Sequence, residues 1–339
     1  MIEEDQRGVQ LQLTDAVKIF QSLPVEIQLS SLNPAFAKTD ELRDTRLSTI
    51  HWYFESNGNI FLHSFMLGKS DVFDVVDIQS PFGYGGPLAN TSEPSFIETA
   101  NNAFKQWIRD NAVVVSFLRF HPLVPHRKWF VGEVQNNREV VIVDLANDVF
   151  NGYKLSRRAD VKLSSTYGLR IEQVKGDAMT KVFPLIYNEN MNRARAGSEY
   201  YFTGHYFNAL HNYPGCDNWL IYANETVVGG AVFLVSQPAK VAEYFLGAQT
   251  ALGQSQKATI ALLHYLAIHY KRLGYRYMYL GGGRSTSPND SLLFFKKGFS
   301  PLSAQYQIGH NVYDPRRYRN LQLAAPTKAS SGRILFYRD

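Results

Sequence analysis

Apolar runs rich in β-branched and aromatic residues recur along the chain at IHWYF (50–54), NAVVVSFLRF (111–120) and REVVIVDL (138–145), and turn residues such as SNGN (56–59) and QNN (135–137) bound them. That pattern predicts strands. Between the first two, PSFIETANNAFKQWIRDN (94–111) places Phe96, Ala100, Phe104, Trp107 and Ile108 at helical intervals, with Pro94 where a first turn tolerates it. The first half therefore reads as α/β and ends near Phe150.

The second half repeats the scheme. A basic helix-like segment (154–167) and a longer helical region (178–211) precede strands at NWLIYA (218–223), VVGGAVFLV (227–235) and VAEYFLGA (241–248). The helix predicted over 256–273 is apolar almost all round, through Ile260, Leu262, Leu263, Leu266, Ala267 and Ile268. It belongs against a sheet, with Gly274 as its stop. YRYMYLGGG then returns as a strand. Two α/β halves with the same element types predict a pseudo-duplicated architecture with domains 1–150 and 151–339, although no residue-level repeat recurs at a fixed period.

Composition narrows the class. In 339 residues, 45% hydrophobic and 19% charged, with 20 Tyr, 22 Phe and 14 Pro, neither a disordered nor a fibrous chain fits. The start, MIEEDQRGVQ, is acidic where a signal peptide is basic, and no apolar run approaches the ~18 residues of a membrane span. The expectation is a cytoplasmic globular protein without a transmembrane segment. Cys216 is the single cysteine, which excludes an internal disulfide and a cysteine zinc cluster within one chain and favours a structural thiol. His264 and His269 stand five apart on a predicted helix and share no face, so no metal is expected. The formal charge is +5, with basic residues gathered at 156–158, 296–297 and 314–319. This balance suits an anionic partner such as RNA, a nucleotide-linked sugar or the inner membrane surface; the alternative is a mildly basic solvated exterior.

Six segments then converge on one resemblance: DIQSPFGYGGPL (77–88), SFLRFHPL (116–123), NREVVIVDL (137–145), EYFLGAQ (243–249), YLGGG (279–283) and DSLLFFKKGF (290–299). In this order they resemble the Fem-type transferases, meaning the FemA, FemB and FemX peptidyltransferases and their polysaccharide-associated relatives in the GCN5-related (GNAT) acyltransferase superfamily. The resemblance implies two tandem GNAT-like domains, each a mixed twisted sheet flanked by helices, with the acceptor on the first and the donor and catalysis on the second. It implies amide formation between an activated aminoacyl or acyl group and an amine on a cell-envelope sugar or peptidoglycan precursor. Aminoacyl-tRNA or acyl-CoA would be the donor, with no tightly bound cofactor and no DNA partner.

Acyl transfer to an amine needs positive charge or hydrogen-bond donors near the carbonyl oxygen as it becomes an oxyanion. In the family motif FKxxF, met by Phe295, Lys296 and Phe299, the resemblance points to Lys296 for that charge and to Phe295 as a substrate contact. Asp290, ahead of the apolar run, is either a helix cap or a proton acceptor. Gly281, Gly282 and Gly283 end a strand, where missing Cβ atoms either admit a substrate or make a bare turn. For acceptor binding the resemblance suggests Tyr84, Gly85 and Gly86, the alternative being a structural turn; Arg119 and His121, at a strand end, are further substrate-binding candidates, Arg119 for an acidic group and His121 with a structural alternative. Tyr244, Tyr279 and Arg284 flank the expected donor cleft.

One departure bears on the donor. A CoA-binding loop reads Q/R-x-x-G-x-G/A, its glycines letting backbone N–H groups approach phosphates. Here the matching stretch is QSQKAT, with Lys257 and Thr259 at the glycine positions. Ordinary CoA binding is therefore disfavoured, while Lys257 remains available to a differently placed phosphate. The helical hairpin that many Fem enzymes carry has no counterpart here. The rival from another class is a non-catalytic sugar- or RNA-binding module on the same fold.

Overall fold

The computed structural model describes residues 8–338 apart from 71 and 288, so most of the acidic start lies outside the described residues. The chain forms two compact units, one comprising the residues up to Asn137 together with those from Tyr306 onward, the other Arg138–Gln305. The sequence pattern placed a single boundary near 150 and assigned 306–339 to the second half. The segment joins the first unit because Gln307 to Val312 pair antiparallel with Phe120 to Val115.

In the first unit, strands Leu47–Ser56 and Asn59–Lys69 form a hairpin around Asn57 and Gly58, whose φ values of 52° and 78° are the positive pair that a tight hairpin turn requires. Val76–Gln79 follows Asn59–Lys69 in the sheet and runs parallel to Val113–Phe120. Helix Pro94–Asp110 makes that crossover. Glu93 accepts the Ser95 and Phe96 amides at its start, and Phe96, Ala100, Phe104 and Ile108 are buried as the periodicity predicts. From the C-terminal segment, Leu321, Phe336 and Tyr337 pack with Val75, Val114 and Val115.

The sheet of the second unit is ordered Glu133–Asp144 (entering the unit at Arg138), Tyr277–Gly282, Val241–Gln249, Thr226–Ser236, Cys216–Ala223, Arg170–Gln173. Its neighbours are antiparallel except for one pair. Val241–Gln249 and Tyr277–Gly282 are parallel, and their register covers only Val241 to Glu243 against Tyr277 to Tyr279. Past that point the two strands part. Each is distorted there, Phe245 being skipped in the register with Thr226–Ser236 and Leu280 in that with Glu133–Asp144.

Helix Ala258–Arg272 covers one face of this sheet, burying Leu262, Leu263, Leu266 and Tyr270 with Val141, Ala231, Phe233 and Met278. Helix Asp177–Ala194 covers the other, where Phe183 lies against Gly230. The helical region expected over 178–211 is two helices. Arg195 turns left-handed at φ 48° to end the first, and Thr203 accepts the Tyr206 amide to begin the second, Gly204–Asn212. No described helix is long and apolar enough to cross a membrane.

Candidate active site

Where the parallel strands part, helix Ser291–Lys296 projects from the loop after Tyr277–Gly282, and Asp290 organises both. Its Oδ1 accepts the Leu292 and Leu293 amides, each at 2.9 Å. Its Oδ2 accepts the Arg284 and Ser285 amides at 2.9 Å and the Ser285 hydroxyl at 3.0 Å. Burial works to raise this carboxyl, but the bonds from Leu293, Ser285 and Arg284 outweigh it and hold Asp290 below the ordinary carboxylate range. With five donors on its two oxygens, the side chain acts as a helix cap and loop tie.

The three glycines serve the protein's own backbone and side chains: a Cβ on Gly282 would stand 2.8 Å from Glu139 O. A Cβ on Gly283 would fall on the Asp290 carboxylate. Gly281 has φ 72°, and a Cβ there would point at Lys296 Nζ from 3.4 Å. The strand-end carbonyls carry the cations: Lys296 Nζ donates to Gly282 O at 2.8 Å and Arg138 Nη1 donates to Gly283 O at 3.0 Å. An Asp290→Asn variant should lose about 2–3 kcal/mol of stability at pH 7, from the cap and the charge-assisted loop bonds. Because the folded pKa is depressed, this difference is full above the unfolded value of 3.8 and shrinks as pH falls through the lower folded value. Urea unfolding of both proteins across pH 3–7 checks it.

Lys296 is 8% exposed, unlike its neighbour Lys297, which reaches the surface and pairs with Glu139 at 2.6 Å. Burial lowers the Lys296 pKa to about 7, Asp290 opposing and Arg138 assisting the shift. Near neutral pH both protonation forms are therefore accessible, and lysine chemistry allows the charged form to stabilise an oxyanion and the neutral form to accept a proton. The Tyr244 ring lies 6.0 Å from Nζ, and its hydroxyl, pushed up to about 12 by burial, occupies space that Gly247 leaves open. Tyr279 is buried beside Gly281, and Arg284 is exposed, anchored through its amide. Phe295 is held by Arg157, whose guanidinium carbon lies 4.5 Å from the ring centroid.

At the expected donor loop, Lys257 adopts φ 59°, the left-handed conformation a glycine would supply, and its ammonium pairs with Asp160 at 3.0 Å. The Gln249 Oε1 accepts both the Thr259 amide at 3.3 Å and its hydroxyl at 2.9 Å. The start of helix Ala258–Arg272 is thus already engaged by side chains of this chain.

In the first unit, the residues singled out for acceptor binding come together. The Gly85 amide donates to Arg119 O at 2.8 Å, and Arg119 Nη2 donates to Pro81 O at 3.3 Å. The Tyr84 ring meets His121 edge-on at 4.8 Å and Tyr306 at 5.6 Å. Gly86, at φ 141°, leaves space for the His126 ring, whose Nδ1 donates to Pro87 O at 2.9 Å. His121 is fully buried and accepts the Leu123 amide. Elsewhere, burial and Asp217 raise the Cys216 thiol pKa, and the thiol donates to Asn218 Oδ1 at 3.4 Å. His264 meets Tyr153 and His269 meets Trp219, and no described group of three or more His, Cys, Asp or Glu side chains is placed to hold a metal.

Sequence reasoning missed Arg138 and Arg157. Arg138 opens an apolar strand and looked like its boundary; Arg157 sat within a basic cluster read as surface. Neither has a spacing signal for these bonds, because the Gly283 and Phe295 carbonyls they donate to are more than a hundred residues away.

No family model matches the chain, nor does any curated protein sequence. Solved structures do match. A crystal structure of FemX aligns at a TM-score of 0.69 and 11% identity, over 93% of this chain and 100% of that one. The C-terminal domain of a putative lysylphosphatidylglycerol synthetase from Agrobacterium fabrum aligns at 0.60 and 14%, over 93% and 97%. A tandem GNAT protein from the clavulanic acid biosynthesis pathway aligns at 0.53 and 11%, over 91% and 99%. With mixed sheets flanked by helices and parallel strands that part beside Lys296, the chain has the GNAT-like fold that it shares with FemX and with the tandem GNAT protein.

Proposed function

We propose that this protein is an acyltransferase that joins an activated aminoacyl or acyl group to an amine on a cell-envelope saccharide or peptidoglycan-type precursor, working in the cytoplasm. The observation that carries this reading is Lys296, a buried cation held by the Gly282 carbonyl where the two parallel strands separate. A tetrahedral intermediate formed there would place its negative charge beside an ammonium whose protonation that charge favours. Tyr244, Tyr279, Gly281 and Arg284 are assigned to the donor side. Tyr84, Gly85, Gly86, Arg119 and His121 are assigned to the acceptor.

Aminoacyl-tRNA is the proposed donor. A CoA pyrophosphate at the usual helix start would have to displace both Gln249 from Thr259 and Lys257 from Asp160. One observation favours the second reading, an acyl-CoA donor: the left-handed Lys257 preserves the turn that a glycine loop would make. Thermal unfolding with acetyl-CoA, longer acyl-CoAs, UDP-linked amino sugars and aminoacyl-tRNA separates the two. A ligand at ~100 times its Kd adds ~2.7 kcal/mol of stability. Protection by aminoacyl-tRNA or an amino sugar with CoA inert is the expected result, followed by mass-spectrometric detection of the new amide. Protection by CoA reverses the donor assignment, and transfer that persists after all tRNA is removed excludes aminoacyl-tRNA.

A further inference from the structure

The helix that carries Lys296 has only six residues, too few to hold its own shape in water. Its C-terminal end is held from outside. The Arg157 guanidinium lies against the edge-to-face pair of Phe295 and Phe299, at 4.5 and 4.6 Å from their centroids, and Nη2 donates to Phe295 O at 2.9 Å. Gly298 allows this approach, since a Cβ there would stand 2.7 Å from Arg157 Nε. Asp160 then bridges outward: Oδ2 pairs with Arg157 Nη1 at 3.1 Å, and Oδ1 with Lys257 Nζ at 3.0 Å. Arg157 is 7% exposed, whereas Lys257 is about one-third exposed.

We infer that Arg157, Asp160 and Lys257 form a strap fixing the Lys296 helix to the start of helix Ala258–Arg272, and that Arg157 is the positioning residue for Lys296 in the transfer proposed above. The inference rests on that reading for its functional meaning and on these contacts for its geometry. Phe295 and Lys296 are consecutive, so clamping the ring and carbonyl of one sets the direction of the other. A guanidinium is needed, because its delocalised charge lies near both rings while separate N–H groups donate to Phe295 O and to Asp160. A lysine at the same place offers a compact point charge without that fork of donors. The strap also ties Lys296 to the loop that would face a donor, so displacing Lys257 from Asp160 would be felt at the catalytic helix.

The test follows the Lys296 side chain itself by carbon-13 NMR titration of the full chain with labelled lysine, its signal assigned by its loss in Lys296→Met. The wild-type midpoint is expected at about 7, where burial puts the Lys296 ammonium. In Arg157→Met the loosened helix admits water, and the midpoint moves up toward the ordinary lysine value of 10.5. Arg157→Lys fails to restore it, and Lys257→Met, which cuts the strap at its more exposed end, moves it the same way by less. A wild-type midpoint in both Arg157→Lys and Lys257→Met overturns the inference, and these two decide the matter if Arg157→Met does not fold. Because the titration uses no substrate, a shifted midpoint in a protein without transfer activity would keep the strap and reject the function.

Discussion

A Lys296→Met variant is expected to lose about a thousandfold or more in transfer rate and yet to resist urea better than the wild type at pH 6. The two effects share one cause. Holding the lysine cation in a site that is 8% exposed is costly, as the drop of its pKa from 10.5 to about 7 records. At ~1.4 kcal/mol per pH unit of displacement, and allowing for relaxation around the buried group, the cost is about 2–4 kcal/mol. Methionine is similar in length and carries no charge to desolvate. The sign follows from proton binding. Below pH 7 the lysine is charged in both states and the wild type bears the whole penalty. Between about 7 and 10.5 the unfolded chain binds the extra proton, so wild-type stability rises with pH relative to the variant, and the advantage of methionine fades. Urea unfolding at pH 6, 8 and 10 checks this. A variant less stable than wild type at pH 6, or a difference that does not change with pH, would show that the lysine is not strained by burial. Unchanged transfer would remove it from the chemistry.

The second large effect is expected far from Lys296 in sequence, within the first unit. Asp77 is fully buried, and its Oδ2 accepts from Arg338 Nε at 2.7 Å and from the Tyr337 hydroxyl at 2.9 Å. The Arg338 guanidinium occupies the space where Gly68 lacks a Cβ. Asp77→Ala leaves a nearly buried guanidinium without its carboxylate. The expected cost is about 3–5 kcal/mol, a large part of the 5–15 kcal/mol that typically holds a domain folded. The Phe336 and Tyr337 rings, seated with Val75, Val114, Val115 and Leu321, lose their anchor at the same time. Hydrogen exchange should show earlier opening of 330–338, and the double variant Asp77→Ala with Arg338→Met should recover part of the loss. An Asp77→Ala protein as stable as wild type, with an unchanged C-terminal segment, would mean that the tail is held by its apolar contacts alone.

Much of the candidate site was legible because its parts are local. Asp290 caps a helix that begins at the next residue, the glycines lie within ten residues of it, and the contrast between Lys296 and Lys297 is a matter of helix phase. The resemblance could point to Lys296, but the reason for its depressed pKa was not legible, since Arg138 and the enclosing strands come from elsewhere in the chain. Phe295 looked like a substrate contact in the motif; in the structure its ring and carbonyl are taken by Arg157. The glycines looked like space for a substrate, and the space at Gly283 is filled by Asp290.

By itself, the sequence determined the element types over most of the chain, the turn residues over 56–59, the place of Pro94 in the first turn of its helix and the absence of glycines from the loop before helix Ala258–Arg272. These follow from side-chain periodicity and backbone preference, which act over a few residues. Only the tertiary structure decided that 306–339 completes the first unit, that the parallel strands separate after three paired residues, and that Arg157 rather than solvent meets the Lys296 helix. Each of these joins residues far apart in the chain, and no local pattern specifies which distant carbonyl, ring or carboxylate will satisfy a given cation once water is excluded.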